Sequence, residues 1–152
     1  MLNIGYNKGD KSRKRAKKRV QKCKFTIWTT ADNQTSVFEG EGEMSLAREE
    51  VPICYREENA FVRLRVQGES AQIFREGDYS LRLDLKRGET LEGSLGLGDG
   101  QGKLQTFTHK VNYSLSKDSL LLLLEYDLLF GEEKQKMKLR LLARQVEDSY
   151  ED

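Results

Sequence analysis

Leu81-Arg82-Leu83-Asp84-Leu85, Val62-Arg63-Leu64-Arg65-Val66 and Phe107-Thr108-His109-Lys110-Val111-Asn112-Tyr113-Ser114-Leu115 place apolar residues at every second position. That period sends alternate side chains to opposite faces of a strand. It recurs from Phe25 to Gln145, and helical spacing does not. The interruptions are short and carry turn chemistry, as at Asp32-Asn33-Gln34, Gly68-Glu69, Glu76-Gly77-Asp78, Ser116-Lys117-Asp118 and Gly131-Glu132-Glu133. Ten strands are expected, at 20–30, 35–47, 51–56, 60–67, 71–75, 79–86, 90–97, 103–115, 119–130 and 134–145. So many strands in 152 residues require a sandwich or barrel that buries one common face.

Hydrophobic residues make up 37% of the chain and charged residues 34%. This balance suits a sheet with one wet face and argues against disorder over the body. Pro52 is the single proline, as central strands demand. The net charge of +1 conceals a division. Residues 8–24 carry ten Lys or Arg against Asp10, while the rest of the chain sums to −8. The expected organisation is a basic arm at 1–20, a β-barrel domain at 21–146 and an acidic tail at 147–152.

Cys23 and Cys54 read in opposite phase, the first inward and the second outward, so two reduced thiols are expected. That suggests a reducing compartment. No apolar stretch follows the basic start, so a secretory signal is not expected. The longest apolar run, 120–124, is too short to span a bilayer. The strand at 119–130 is apolar on one whole face and adds Leu121, Leu123 and Leu129 on the other, so both faces are expected to be covered. In the strand at 35–47, Gly40 and Gly42 fall on the inward face, which suggests a bend or bulge there.

Tyr55-Arg56-Glu57, Arg75-Glu76-Gly77 and Gly93-Ser94-Leu95-Gly96-Leu97, in that order, resemble segments of the YwiB-like family of small bacterial proteins. The resemblance runs from about Phe25 to Gln145. It implies an all-β, antiparallel calycin- or lipocalin-like β-barrel of about 8–10 strands, here with a basic N-terminal arm. It also implies a bacterial, cytoplasmic setting. It implies no activity. The glycine-rich turn at 98–102 and the basic arm depart from the family pattern. The G-x-W of secreted lipocalins is missing, since Ile27 precedes Trp28.

No nucleophile–base pair can be read, so a non-enzymatic binding module is the leading reading. Neither a cofactor nor a metal site is expected: His109 stands alone, and Cys23 and Cys54 lack ligand spacing. His109 is in phase with Phe107, Val111 and Tyr113, which points it inward. With Tyr55, Tyr113 and Tyr126 it would line a site for a small apolar or amphipathic ligand; alternatively these rings fill the core. Docking of a protein partner on the surface is the companion reading. The rival class is nucleic-acid association. Arg13, Lys14, Arg15, Lys17, Lys18 and Arg19 would contact RNA or DNA phosphates, without stacking, because no aromatic is interleaved.

Overall fold

A computed structural model describes residues 20–45 and 51–146. The basic residues 1–19, the acidic tail 147–152 and the end of the second expected strand, at 46–47, lie outside the described residues. Ten strands follow one another: β1 (Val20–Ala31), β2 (Gln34–Ser45), β3 (Val51–Glu57), β4 (Ala60–Gln67), β5 (Ser70–Gly77), β6 (Ser80–Lys86), β7 (Thr90–Leu97), β8 (Gly100–Leu115), β9 (Ser119–Phe130) and β10 (Glu133–Gln145). Each pairs antiparallel with its sequence neighbour, and β10 returns to β1 in the register Leu141↔Ile27, closing the barrel. Closure pairs the first strand with the last and leaves no edge there for another chain to join.

The alternation sets which side chains meet inside. Val62, Leu64, Val66, Leu83, Leu85, Leu139 and Leu141 are buried, and Leu81 and Met137 pack partly buried against them. Arg63, Arg65, Arg82, Lys138 and Arg140 face water. Several outward cations also cover aromatic rings: Arg63 stands 5.1 Å from the Phe74 centroid and Arg140 4.9 Å from that of Trp28. Exposed pairs of this kind contribute about 0.5–1 kcal/mol each. Cys23 is buried, Cys54 is half-buried on the outer side, and both are free thiols.

Three expectations are corrected. The paired glycines do not mark a bulge in β2, whose ladder with β1 runs unbroken from Val20↔Ser45 to Ala31↔Gln34. They make room for rings instead: a Cβ on Gly42 would meet the Cys54 carbonyl, the Phe25 ring at 2.5 Å and Tyr55 Cβ at 2.9 Å. The turn expected at 98–102 is only a two-residue turn, and β8 already begins at Gly100. Finally, the outer face of β9 is only partly covered among the described residues. Leu121 is 51% exposed, and Leu123 and Leu129 are half-buried.

The barrel is uneven. β8, β9, β10, β1 and β2 have 12–16 residues, and β3 to β7 have 7 or 8. Two seams are thin. β2 joins β3 through three residue pairs, and β6 joins β7 through three. At the second seam the Thr106 hydroxyl donates to the Asp84 carbonyl at 2.9 Å, giving that carbonyl a partner where the β6–β7 ladder stops.

Candidate functional site

The interior is packed. Phe25, Met44, Ile53, Leu64, Leu83, Leu85, Leu120, Leu122, Leu124 and Leu141 are large side chains buried almost completely. Tyr55 and Tyr126 join this core, and burial pushes both phenols well above their ordinary range. The Tyr55 ring lies 5.5 Å from Phe25 and 5.7 Å from Phe38, a tilted aromatic cluster over Gly42. Tyr113 is half-buried, and its hydroxyl accepts the Gly68 N–H at 3.1 Å. That bond holds it near the 68–69 turn, whereas Tyr55 sits beside the 58–59 turn at the other end. Tyr113 therefore lies apart from Tyr55, whereas Tyr126 is near enough to Tyr55 to help raise its phenol.

The segments Tyr55-Arg56-Glu57 and Arg75-Glu76-Gly77 do meet. Arg75 is 13% exposed by its side chain. It donates to the Tyr79 carbonyl at 2.9 Å, reaches Asp78 at 2.9 Å and Glu57 at 3.4 Å, and lies 3.8 Å from the Tyr79 ring centroid. The hydrogen bond from Arg75 holds the Asp78 carboxyl below its ordinary value. Gly77 closes the cluster, because a Cβ there would meet the Asn59 carbonyl and the Ala60 Cα at 2.7 Å. This guanidinium ties the β3–β4 turn to the β5–β6 turn, a structural clamp.

His109 is not inside. The β8–β9 register shifts between Lys110↔Glu125 and Thr108↔Tyr126, leaving His109 as the extra residue of a β-bulge. The bulge changes the phase of β8. Leu104, Thr106 and Thr108 are buried before it and Val111 after it, while His109 and Lys110 both turn outward. On the outer face the His109 Nε2 lies 2.9 Å from Asp127 Oδ2, and Phe107 packs edge-on at 4.9 Å between centroids. Asp127 is only 8% exposed although it points outward, so its carboxylate sits beneath the half-exposed imidazole.

Beside this pair runs a groove of about 760 Å³. Lys134, Lys136 and Lys138 line it, with Glu125 and the hydroxyls of Thr30 and Thr35, themselves 2.8 Å apart. Lys138 reaches Glu125 at 3.9 Å. The Asp32 carboxylate accepts the Lys136 N–H at 2.9 Å and fixes one end. With Nε2 committed to Asp127, Nδ1 is the ring position left for a ligand. Among the described residues no hydroxyl or thiol is hydrogen-bonded to His109, and no three His, Cys, Asp or Glu stand close enough to hold a metal ion. Glu125 and Asp127 share one face of their strand by spacing, but strand register alone brings Asp127 to His109.

A family model described as "Domain of unknown function (DUF1934)" matches residues 22–141. The chain belongs to that family. The DUF1934 match reaches from β1 into β10 and so includes the bulge, the groove and the Arg75 clamp. Among solved structures, the crystal structure of the ywiB protein from Bacillus subtilis is similar, with a TM-score of 0.75 and 16% identity. The similarity covers 91% of this chain and 100% of that one. At that identity the likeness concerns the fold alone. No curated protein sequence matches this DUF1934 chain. No helix among the described residues is long and apolar enough to cross a membrane.

Proposed function

We propose that this DUF1934 domain is a non-enzymatic binding module that takes an anionic group, a carboxylate or a phosphate, in the outer groove. One observation carries the reading. A bulge lifts His109 out of the barrel and onto the nearly buried Asp127, at the side of a groove lined by Lys134, Lys136 and Lys138. Bulges commonly re-aim a side chain beside a site, and the ammonium donors in this hollow favour an anion through charge-assisted bonds, to which His109 Nδ1 adds a donor when the ring is an imidazolium. The packed interior supports this outer location over a ligand held among Tyr55, Tyr113 and Tyr126. The proposed setting is the bacterial cytoplasm, in keeping with two free thiols.

The test is a titration of the protein with inorganic phosphate and with succinate, followed by amide and imidazole NMR. Saturable shifts should centre on His109, Lys136 and Lys138, and His109→Gln should weaken them by about tenfold, equivalent to one lost charge-assisted bond. Shifts scattered over the surface, or none, would remove the groove as a site. A small apolar molecule retained in native mass spectra would return the site to the interior.

A second reading has its own support. Lys22 and Lys24 are exposed on β1 and extend the basic stretch that includes Arg13, Lys14, Arg15, Lys17, Lys18 and Arg19. Contacts from these cations to RNA phosphates would weaken by on the order of a thousandfold between 50 and 200 mM salt if about six phosphates were engaged. A filter-retention assay on mixed-sequence RNA at both salts decides it, and retention insensitive to salt rejects it.

A further inference from the structure

The β1–β2 hairpin reaches beyond its neighbour. β2 pairs with β1 along its whole length, yet with β3 only at Gly42, Glu43 and Met44. Among the described residues nothing pairs with residues 34–41 on the side away from β1. Alternate backbone N–H and C=O groups of such a segment face the open side, and an extended peptide can add there as a further strand. The segment is accessible: only Phe38 and Gly40 are half-buried, and the other six residues are exposed.

The side chains indicate what the edge accepts. Glu39, Glu41 and Glu43 project outward at a period of two; on the β1 side Lys24 and Lys22 stand opposite Glu41 and Glu43, and Thr26 opposite Glu39, and residues 25–47 contain no Lys or Arg. Two such edges side by side would set carboxylates against carboxylates, which disfavours edge-to-edge pairing of copies. A basic strand is favoured, and the chain carries one. Residues 8–19 hold eight Lys or Arg against Asp10. In extended form, Arg13, Arg15, Lys17 and Arg19 share one face at the same period of two. A chain's own arm starts from the wrong place: Val20 lies opposite Ser45, and the β2–β3 ladder stands between it and the open edge.

We infer that residues 8–19 of a second copy add as a strand to residues 34–41 of β2, each copy's basic segment lying on the other's acidic edge. The full chain tests this by sedimentation and by hydrogen exchange at amides 34–41. At about 100 μM in low salt, where a micromolar complex is nearly saturated, the chain should sediment as a dimer. The outward-facing amides should exchange about tenfold more slowly than on dilution to monomer. Two variants supply a charge swap: Glu39→Lys with Glu41→Lys, and Arg13, Lys14, Arg15, Lys17 and Lys18 all replaced by Glu. Each alone should be monomeric, and their mixture should restore a dimer containing one of each. The substituted edge residues are exposed, and the native amide spectrum verifies folding. A monomeric full chain overturns the inference, and so does a dimer that survives both substitutions. A monomer with protected edge amides would instead mean that each arm docks on its own body, which also overturns the exchange between copies.

Discussion

Leu83 is 1% exposed and belongs to the apolar core of the barrel. Leu83→Ala should cost about 2–5 kcal/mol in a urea melt, the lost transfer energy plus a cavity; a loss under about half of one kcal/mol would place the residue elsewhere. The thiols are the second residue-scale test. The Cys23 thiol is pushed up from 9.0 to about 12, first by burial and then by the nearby Glu43 carboxylate. The Cys54 thiol is also raised by burial, with Arg63 pulling the other way. In the native protein an alkylating reagent at pH 8 should modify the half-buried Cys54 and spare Cys23, whereas the denatured, unreduced chain should take two labels. A single label after denaturation would contradict two free thiols. The pH dependence follows in sign. Above pH 9.0 the unfolded chain releases the Cys23 proton and the native state keeps it, so stability falls as pH rises toward 12. One such group removes about 1.4 kcal/mol per pH unit, and the raised phenols of Tyr55 and Tyr126 add to the loss above 10.0. Cys23→Ala should flatten the decline just above pH 9.0, and an unchanged slope would show that this thiol is not the cause.

At the scale of the element, two departures from plain alternation matter. Deleting His109 removes the extra residue of the bulge and leaves Thr108, Lys110 and Val111 in plain alternation opposite Tyr126, Glu125 and Leu124, so neither half of β8 changes face. The expected result is a variant that still unfolds cooperatively but lacks the imidazole over Asp127; loss of cooperative thermal unfolding would show that the β8–β9 ladder needs the extra residue. Gly42→Ala tests the β2–β3 seam. Its Cβ would press on the Cys54 carbonyl and the Phe25 ring where only three residue pairs hold the strands. A cost of about 1–3 kcal/mol is expected from overpacking, with faster hydrogen exchange at Ile53 and Tyr55. An unchanged melt would mean that the seam yields freely.

The molecule as a whole closes by pairing its first strand with its last. The ladder runs from Met137↔Ala31 to Gln145↔Cys23, and Val146 N–H donates to the Lys22 carbonyl at 2.9 Å. The two ends of the described barrel are therefore neighbours. A circular permutant joining 146 to 20 by a short linker and opened in the 131–132 turn should keep the native amide spectrum; a collapsed spectrum would show that the β9–β10 turn is needed to form the barrel. Alternation by itself determined the ten strands, the inward register of Val62, Leu83 and Leu141, and the opposite phases of Cys23 and Cys54. These follow from the fixed two-residue period of a strand, which each residue expresses locally. Closure, the bulge and the groove were decided only by the tertiary structure. His109 has the right phase for the interior when β8 is read alone. It faces out because β9 must accommodate one residue more on β8 than its own register supplies, and the alternation within a single strand does not record that count. The same holds for Asp127, which reads as an ordinary outward carboxylate until the register sets it beneath the imidazole 18 positions away.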